Sequence, residues 1–292
     1  MRIALTGASG FIGSVVAKHA AAAGHEVTAL VRPTSRSDHI TDVVSRFVEG
    51  THDDPIAIAS LLDAADAVIH DSFDWDALSS DDLTSHVKSN IEGSIALLDA
   101  AEQRPFVYMS SVAVHHAILD RWCGSIDSDH PTRPGSGYGA AKATIESHLW
   151  ARNAERGQPF TIIRPCAVYG IDPAFDRTIG VPIIETLRSG QPYARSGGGK
   201  FVHVDDVAQA TLAAIDHRSA IYHLVDCYAR WGDWATMTAE LLDIDADIDL
   251  SSPASPRNMF DTTNVTCDLG VPLDRGHAGI RDHLRMLIEA IP

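Results

Sequence analysis

Short apolar runs alternate with stretches of helical period along the first ~110 residues, the pattern of βαβ units feeding a parallel sheet. The apolar runs predict strands at Ile3 to Thr6, Glu26 to Val31, Ser45 to Val48, Ala67 to His70 and Pro105 to Ser110. Between them the spacing of apolar positions predicts helices from Gly10 to Ala23, Pro55 to Ala64 and Asp81 to Glu102. A further helix over Tyr138 to Glu155 leads into a strand at Phe160 to Arg164. After Gly170 the alternation loosens into Pro/Gly-rich stretches between helices near Ile179 to Leu187, Asp205 to Asp216 and Trp234 to Leu242. The pattern predicts an α/β chain with a doubly wound parallel sheet. Its boundaries are residues 1–170 for the sheet domain, 171–292 mainly for a smaller, discontinuous C-terminal substrate-binding region, and a return of 200–225 to the sheet.

The first strand runs into Gly7-Ala8-Ser9-Gly10-Phe11-Ile12-Gly13, a GxxGxxG turn that opens an amphipathic helix. A dinucleotide diphosphate needs such a turn: a tight bend, a backbone free of Cβ atoms, and helix N–H groups aimed at the anion. Strand before and helix after supply the context that separates this turn from an ordinary one. At the end of the second strand, where an acid would accept from a ribose 2′-OH, stands Arg32, with Ser35 and Arg36 nearby. A guanidinium suits a 2′-phosphate, so NADP is the preferred cofactor and NAD the alternative.

Tyr138 and Lys142 are four apart at the start of a predicted helix and share one face. An ammonium beside a phenol favours phenolate, which a Tyr needs to exchange protons near neutrality. Ser110 and Ser111 close the fifth strand on the sheet edge where ligands bind, so a hydroxyl there can hold a substrate oxygen while Tyr138 moves its proton.

In this order the motifs resemble the extended short-chain dehydrogenase/reductase superfamily, in its NAD(P)-dependent epimerase/dehydratase branch. TGASGFIG at 6–13, Asn90-Ile91-Glu92-Gly93, FVYMSSVAV at 106–114, Tyr138-Gly139-Ala140-Ala141-Lys142, RPCAVYG at 164–170, VHVDDVA at 202–208 and Leu269-Gly270-Val271-Pro272 carry the likeness over nearly the whole chain. The resemblance implies a Rossmann-type fold and hydride transfer between a nicotinamide and a secondary alcohol or ketone. It implies Ser111 as the group that positions the substrate oxygen, with Ser110 as the alternative register, Tyr138 as acid/base, and Lys142 as the residue that lowers the Tyr138 pKa and bonds the nicotinamide ribose. It places Gly7, Gly10, Phe11, Ile12 and Gly13 on the dinucleotide and Pro165 to Val168 along the nicotinamide. Asn90 either assists the reaction or serves a core-polar role. Dimerisation through the helices flanking the Tyr138 segment is also implied.

Several positions depart from that pattern. Gly50-Thr51-His52 replaces a Gly-Asp-Leu that reads adenine, and Asp71-Ser72-Phe73 stands where small residues face the cofactor, leaving Phe73 to crowd or stack on the adenosine side. Val114-His115-His116 replaces a VYG, so His115 is either an imidazole near the substrate or a partly exposed loop residue. Gly199, followed by Lys200, occupies the position of an Arg that grips nucleotide-sugar pyrophosphates, which weakens that substrate class. Trp122, Trp231 and Trp234 either line the pocket or pack the core. The reaction is thus open between a reductase or dehydrogenase and an epimerase that retains its nicotinamide, with a non-enzymatic redox-sensing regulator as the reading from another class.

Composition narrows the partners. Lys+Arg total 23 against Asp+Glu 39, a net charge of −16 that repels phosphate backbones and anionic lipid and argues against nucleic acid. Cys123, Cys166, Cys227 and Cys267 are too widely spaced for a redox or zinc CxxC, so no metal is expected. The apolar stretch before Gly7 is too short for a signal peptide and no run reaches the ~20 residues a bilayer needs, so a cytoplasmic address and a small-molecule substrate are expected.

Overall fold

The computed structural model describes residues 1–80 and 82–291. Seven parallel strands form the central sheet: β1 (Arg2–Thr6), β2 (Glu26–Val31), β3 (Arg46–Glu49), β4 (Ala67–His70), β5 (Phe106–Met109), β7 (Phe160–Pro165) and β10 (Ala220–Leu224). β6 (Ser125–Ile126) lies outside this sheet. The spatial order is β10-β7-β5-β4-β1-β2-β3, so the chain reverses direction across the sheet between β1 and β4. In open α/β sheets a crevice opens at that reversal, beyond the carboxyl ends of the strands.

Both faces of the sheet are covered, which is why β4, β5 and β7 are buried along their whole length, with His70, Thr161 and Arg164 the polar exceptions among their apolar residues. One face, with Ile3, Leu5, Ile69 and Val107, packs on α1 (Phe11–Ala22) and α8 (Val204–Ala213) through Val16, Ala17 and Val207. The other, with Ala4, Val68, Phe106 and Ile162, packs on α2 (Pro55–Leu62), α5 (Gly93–Ala101) and α6 (Gly137–Arg156) through Leu61, Leu97 and Ile145. Each such fully buried aliphatic side chain stabilises the fold by about 1.5–3 kcal/mol. Caps fix where the helices start: Asp54 accepts the Ile56 N–H at 2.8 Å ahead of Pro55, and Ser136 Oγ accepts the Gly139 N–H at 3.1 Å.

The stretch expected as one helix over 81–102 is three pieces. Asp81 lies outside the described residues; α4 (Leu83–His86) is followed by a π-helical segment over Val87–Glu92 and then by α5. A π-turn admits one extra residue and releases carbonyls from the ladder. A short helix, α3 (Trp75–Ser79), precedes it.

The C-terminal half builds a second cluster around Tyr169, Ile184, Phe201, Trp234 and Leu284. It joins β8 (Ala167–Tyr169), α7 (Val181–Arg188), β9 (Gly198–His203), β11 (Cys227–Arg230), α9 (Trp231–Leu242) and α11 (Gly276–Ala290), with β8, β9 and β11 in a three-stranded sheet. α8 and β10 return to the main domain, and α10 (Thr263–Leu269) adds Val265 and Leu269 to the same core. β12 (Met259–Phe260) pairs with β6, carrying Phe260 to the segment that follows β5. Among the described residues no helix is long and apolar enough to cross a membrane.

Candidate active site

The glycine turn sits at the carboxyl end of β1, beside the sheet reversal. Gly7 has φ +78°, and a Cβ there would stand 2.8 Å from the Asp71 carbonyl carbon. A Cβ on Gly13 would lie 2.2 Å from the Gly7 carbonyl oxygen, so only glycine lets helix and strand approach this closely. Gly10 caps α1 and donates to Gly7 O at 2.9 Å, leaving the amides of Phe11, Ile12 and Gly13 in the first turn of α1. This cradle, which a side chain would fill, fits a diphosphate. Arg32 follows β2, exposed and without a side-chain hydrogen bond among the described residues.

Three elements converge on the reacting groups. Ser111 follows β5 and accepts the Ala113 N–H at 3.1 Å while its hydroxyl faces Pro165 O at 3.5 Å. Ser110 is committed elsewhere, donating to Glu146 Oε1 at 2.5 Å, so Ser111 is the serine that reaches Tyr138, to which it is hydrogen-bonded. Tyr138 and Lys142 rise from the first turns of α6, and Lys142 Nζ donates to Met109 O at 2.6 Å. Pro165 is buried and Val168 half-buried on the adjacent β7 and β8.

The charge balance differs from the expectation that Lys142 lowers the Tyr138 pKa. Burial pushes the Tyr138 phenol up to about 12, the Ser111 hydrogen bond works against that, and the Asp71 carboxylate adds to it. Burial likewise draws Lys142 down to about 8, so the ammonium that should favour phenolate is itself destabilised. Asp71 carries the reciprocal effect: burial raises it to about 7, against Lys142 and a hydrogen bond from the Gly13 amide.

Phe73 is not on the adenosine side. Its ring meets Tyr138 edge-on at 5.0 Å and lies 5.2 Å from Lys142 Nζ. Trp75, 56 % exposed, stacks on Tyr138 with ring centroids 4.8 Å apart and planes 24° apart. The two form an aromatic cap over the Tyr/Lys pair. Asn90 holds the segment that carries them: its Oδ1 accepts the Asp74 N–H at 2.7 Å and its Nδ2 donates to Asp74 O at 2.9 Å. Asn90 is thus a buried clamp on backbone.

Buried histidines complete the mounting. Ser94 Oγ donates to Asn90 O, so it accepts from His70 Nε2 at 2.8 Å; His70 Nδ1 then accepts from Thr6 Oγ1 at 2.7 Å, and Thr6 Oγ1 accepts the Ser72 N–H at 3.2 Å. His52 Nε2 donates to Ser89 O at 2.7 Å and its Nδ1 accepts from Ser72 at 3.1 Å. Ser89 and Asn90 belong to the π-helical segment, so these contacts engage backbone that an unbroken α-helix would keep for itself. Burial lowers both histidines, keeping them neutral.

His115 is not a partly exposed loop residue. It is buried against His130, His223 and Phe260, with Arg164 donating toward the Nε2 atoms of His115 at 3.1 Å and His223 at 3.3 Å. Arg164 also forks onto Glu146, Nε to Oε1 at 2.9 Å and Nη2 to Oε2 at 2.6 Å, both side chains under 5 % exposed. Trp234 is core; Trp231 lies under the Arg195 guanidinium at 3.6 Å, and Trp122 donates to Asp127 at 2.6 Å. Lys200 is half-buried beside Phe260, its ammonium 5.6 Å from the ring. No group of three or more His, Cys, Asp or Glu side chains among the described residues is arranged to hold a metal ion.

Sequence reasoning missed the roles of Asp71, Trp75 and Glu146. Glu146 had a signal, since it follows Lys142 by one helical turn on the same face. An acid directly after a short, fully buried strand, Ala67 to His70, was the feature at Asp71.

Comparison with known proteins agrees with this geometry. The model of the NAD dependent epimerase/dehydratase family matches residues 3–226. A ketoreductase of a farnesylated dihydroquinoline-1-oxide from Stigmatella aurantiaca is 26 % identical over 77 % of this chain and 68 % of its own length. A dihydroflavonol 4-reductase from Dianthus caryophyllus is 26 % identical over 82 % of this chain and 72 % of its own. In fold, the UDP-glucose 4-epimerase of Thermotoga maritima, solved with UDP-glucose, superposes with a TM-score of 0.83 at 20 % identity, covering 100 % of both chains.

Proposed function

The chain belongs to the NAD dependent epimerase/dehydratase family, as an NAD(P)-dependent oxidoreductase, and we propose that it reduces the ketone of a flat, aryl-bearing small molecule with NADPH. The observation that carries this reading is the aromatic cap: an exposed indole stacked beside the Tyr138 phenol offers a planar wall to whatever carbonyl approaches. Gly199 and the absence of a bidentate cation there weaken the grip a nucleotide sugar needs. Two relatives are named as reductases of ring-fused ketone substrates, which supports the same class.

The nicotinamide, when bound, supplies or accepts the hydride. Gly7, Gly10, Phe11, Ile12 and Gly13 would hold the diphosphate through the backbone, and Arg32 would meet the 2′-phosphate. Lys142 would bond the nicotinamide ribose, and Pro165 and Val168 would line the ring. Ser111 donates to the substrate oxygen, drawing electron density from the carbonyl carbon, and Tyr138 gives that oxygen its proton. With Tyr138 held near 12, it acts from the protonated side, which suits reduction.

Titration with NADPH and NADH, followed by nicotinamide fluorescence in wild type and Arg32→Ala, tests the cofactor assignment. NADPH binding at least tenfold tighter than NADH, lost in the variant, is expected; equal or tighter NADH binding overturns it. The second reading is an epimerase that keeps NAD bound, favoured by the fold likeness and by the half-buried Lys200. Nucleotide that copurifies and is never released during turnover would establish it.

A further inference from the structure

β4 ends at His70, and the next residue, Asp71, donates its amide to Thr6 O at 3.3 Å beside the glycine turn, where the nearby Gly13 amide favours its carboxylate. The backbone of Asp71 is pressed against the same turn from the other side, within 2.8 Å of where a Gly7 Cβ would be. The protein therefore carries its own anion at the end of the helix that receives the diphosphate. Helix amides and dipole attract either anion, so the two draw on one set of donors, and a carboxylate beside two phosphate charges in a partly buried place is repelled.

The groups facing Asp71 sharpen the conflict. From α6 come Lys142, whose charge favours the carboxylate, and Tyr138, a neutral phenol. His70 and His52, lowered by burial, are engaged with Thr6, Ser94, Ser72 and Ser89 and put no charge on Asp71. The first turn of α1, Phe11 to Ser14, brings amides and no titratable side chain. Burial outweighs these contacts and leaves the carboxyl near 7, where a modest push changes its charge.

We propose that Asp71 takes up a proton when the dinucleotide binds, so that the cofactor diphosphate meets a neutral carboxyl group. The inference rests on the glycine turn being the dinucleotide site. It makes Asp71 a cofactor-binding residue whose charge is exchanged for that of the ligand, at a position where a small apolar residue would leave binding indifferent to pH. A diphosphate diester has no pKa near neutrality, so the uptake belongs to the protein. If the ligand raises the carboxyl by one unit from about 7, linkage gives an uptake of about 0.5 proton at pH 7.5 and a Kd about threefold weaker at pH 8 than at pH 7.

Calorimetric titration of NADH and of NADPH into the whole chain, at pH 7.5 in HEPES and in Tris, reads the proton count from the difference in apparent enthalpy. NADH lacks the 2′-phosphate, which itself titrates near 6, so equal uptake with both nucleotides isolates the protein group. The expected result is about half a proton in wild type and none in Asp71→Asn, whose Kd no longer varies with pH. Asp71→Leu, with no polar group to satisfy, gives the same result through a second chemistry. Wild-type binding without uptake overturns the assignment while leaving the dinucleotide site intact. Uptake undiminished in both variants places the proton on Lys142 and overturns it as well. Failure of both nucleotides to bind overturns the dinucleotide reading itself.

Discussion

Replacing Glu146 by Gln tests what holds the site together. Glu146 lies on α6, one turn beyond Lys142; its carboxylate takes both prongs of Arg164 from β7 and the hydroxyl of Ser110 from the end of β5. These are the three elements that carry Tyr138, Pro165 and Ser111, so one carboxylate braces every part of the catalytic geometry. The pair is 3 % and 4 % exposed. Gln keeps the shape and removes the charge, turning one acceptor into an N–H2 aimed at the guanidinium. Arg164 is then a buried cation whose acceptors, one amide oxygen and two imidazoles, are all neutral, and breaking a buried pair in this way costs about 3–5 kcal/mol. That is a large share of the ~5–15 kcal/mol that keeps a domain folded, and at about 2–4 °C per kcal/mol it lowers Tm by roughly 6–20 °C. Urea unfolding followed by tryptophan fluorescence gives the energy, and differential scanning fluorimetry the shift. Among variants still folded at 25 °C, kcat falls more than nucleotide affinity, because the glycine turn is not part of the brace. A loss under 1 kcal/mol would refute the reasoning. The double replacement Glu146→Met with Arg164→Met, which removes both charges, should recover most of the stability, whereas removing the exposed pair Arg2–Asp66 should change it by less than 1 kcal/mol.

Tyr138→Phe removes the proton donor and keeps the ring that Trp75 and Phe73 pack against; turnover of a carbonyl substrate falls about 10²–10⁴-fold while NADPH affinity stays within threefold, and unchanged turnover would remove Tyr138 from the chemistry. Acid sensitivity follows from the buried histidines. His115 is held down to about 3 by burial with help from Arg164, and His283 to about 4 by burial, against 6.5 for the free side chain. Both folded values lie below the unfolded one, so their contribution is complete above pH 6.5 and is lost as the unfolded chain binds protons below it. Each costs about 1.4 kcal/mol per pH unit between 6 and the folded value, so urea midpoints should drop steeply from pH 6 to pH 5, and a flat profile over that range would contradict the assignment.

The strands of the first half, the glycine turn and the Ser111, Tyr138, Lys142 order were legible because each is written in local pattern: apolar runs, glycine spacing, a helical interval of four. The split of the 81–102 helix was not. A π-turn leaves hydrophobic periodicity nearly intact, and the partner that takes up its freed carbonyl, His52 on Ser89 O, is brought there only by the fold. Histidines 70, 115 and 223 are polar residues that sit in the core, since imidazoles in matched networks lose little on burial. The wrong side for Phe73 had a similar origin: sequence placed it after β4, while the turn of the chain into α3 aims its ring at α6.

The clamp by Asn90 grips Asp74 by its main-chain N–H and C=O. Those two groups are the same whatever side chains precede or follow them, so positions 73 and 75 can change without loosening their mounting. Evolution, or an engineer, can therefore rewrite the wall beside Tyr138 one residue at a time, trading indole for aliphatic or polar surface, while the proton-transfer machinery stays in place. On the proposed reading, substrate choice and catalysis are separable by mutation, because the segment that carries the wall is anchored through main-chain groups that hold no sequence information.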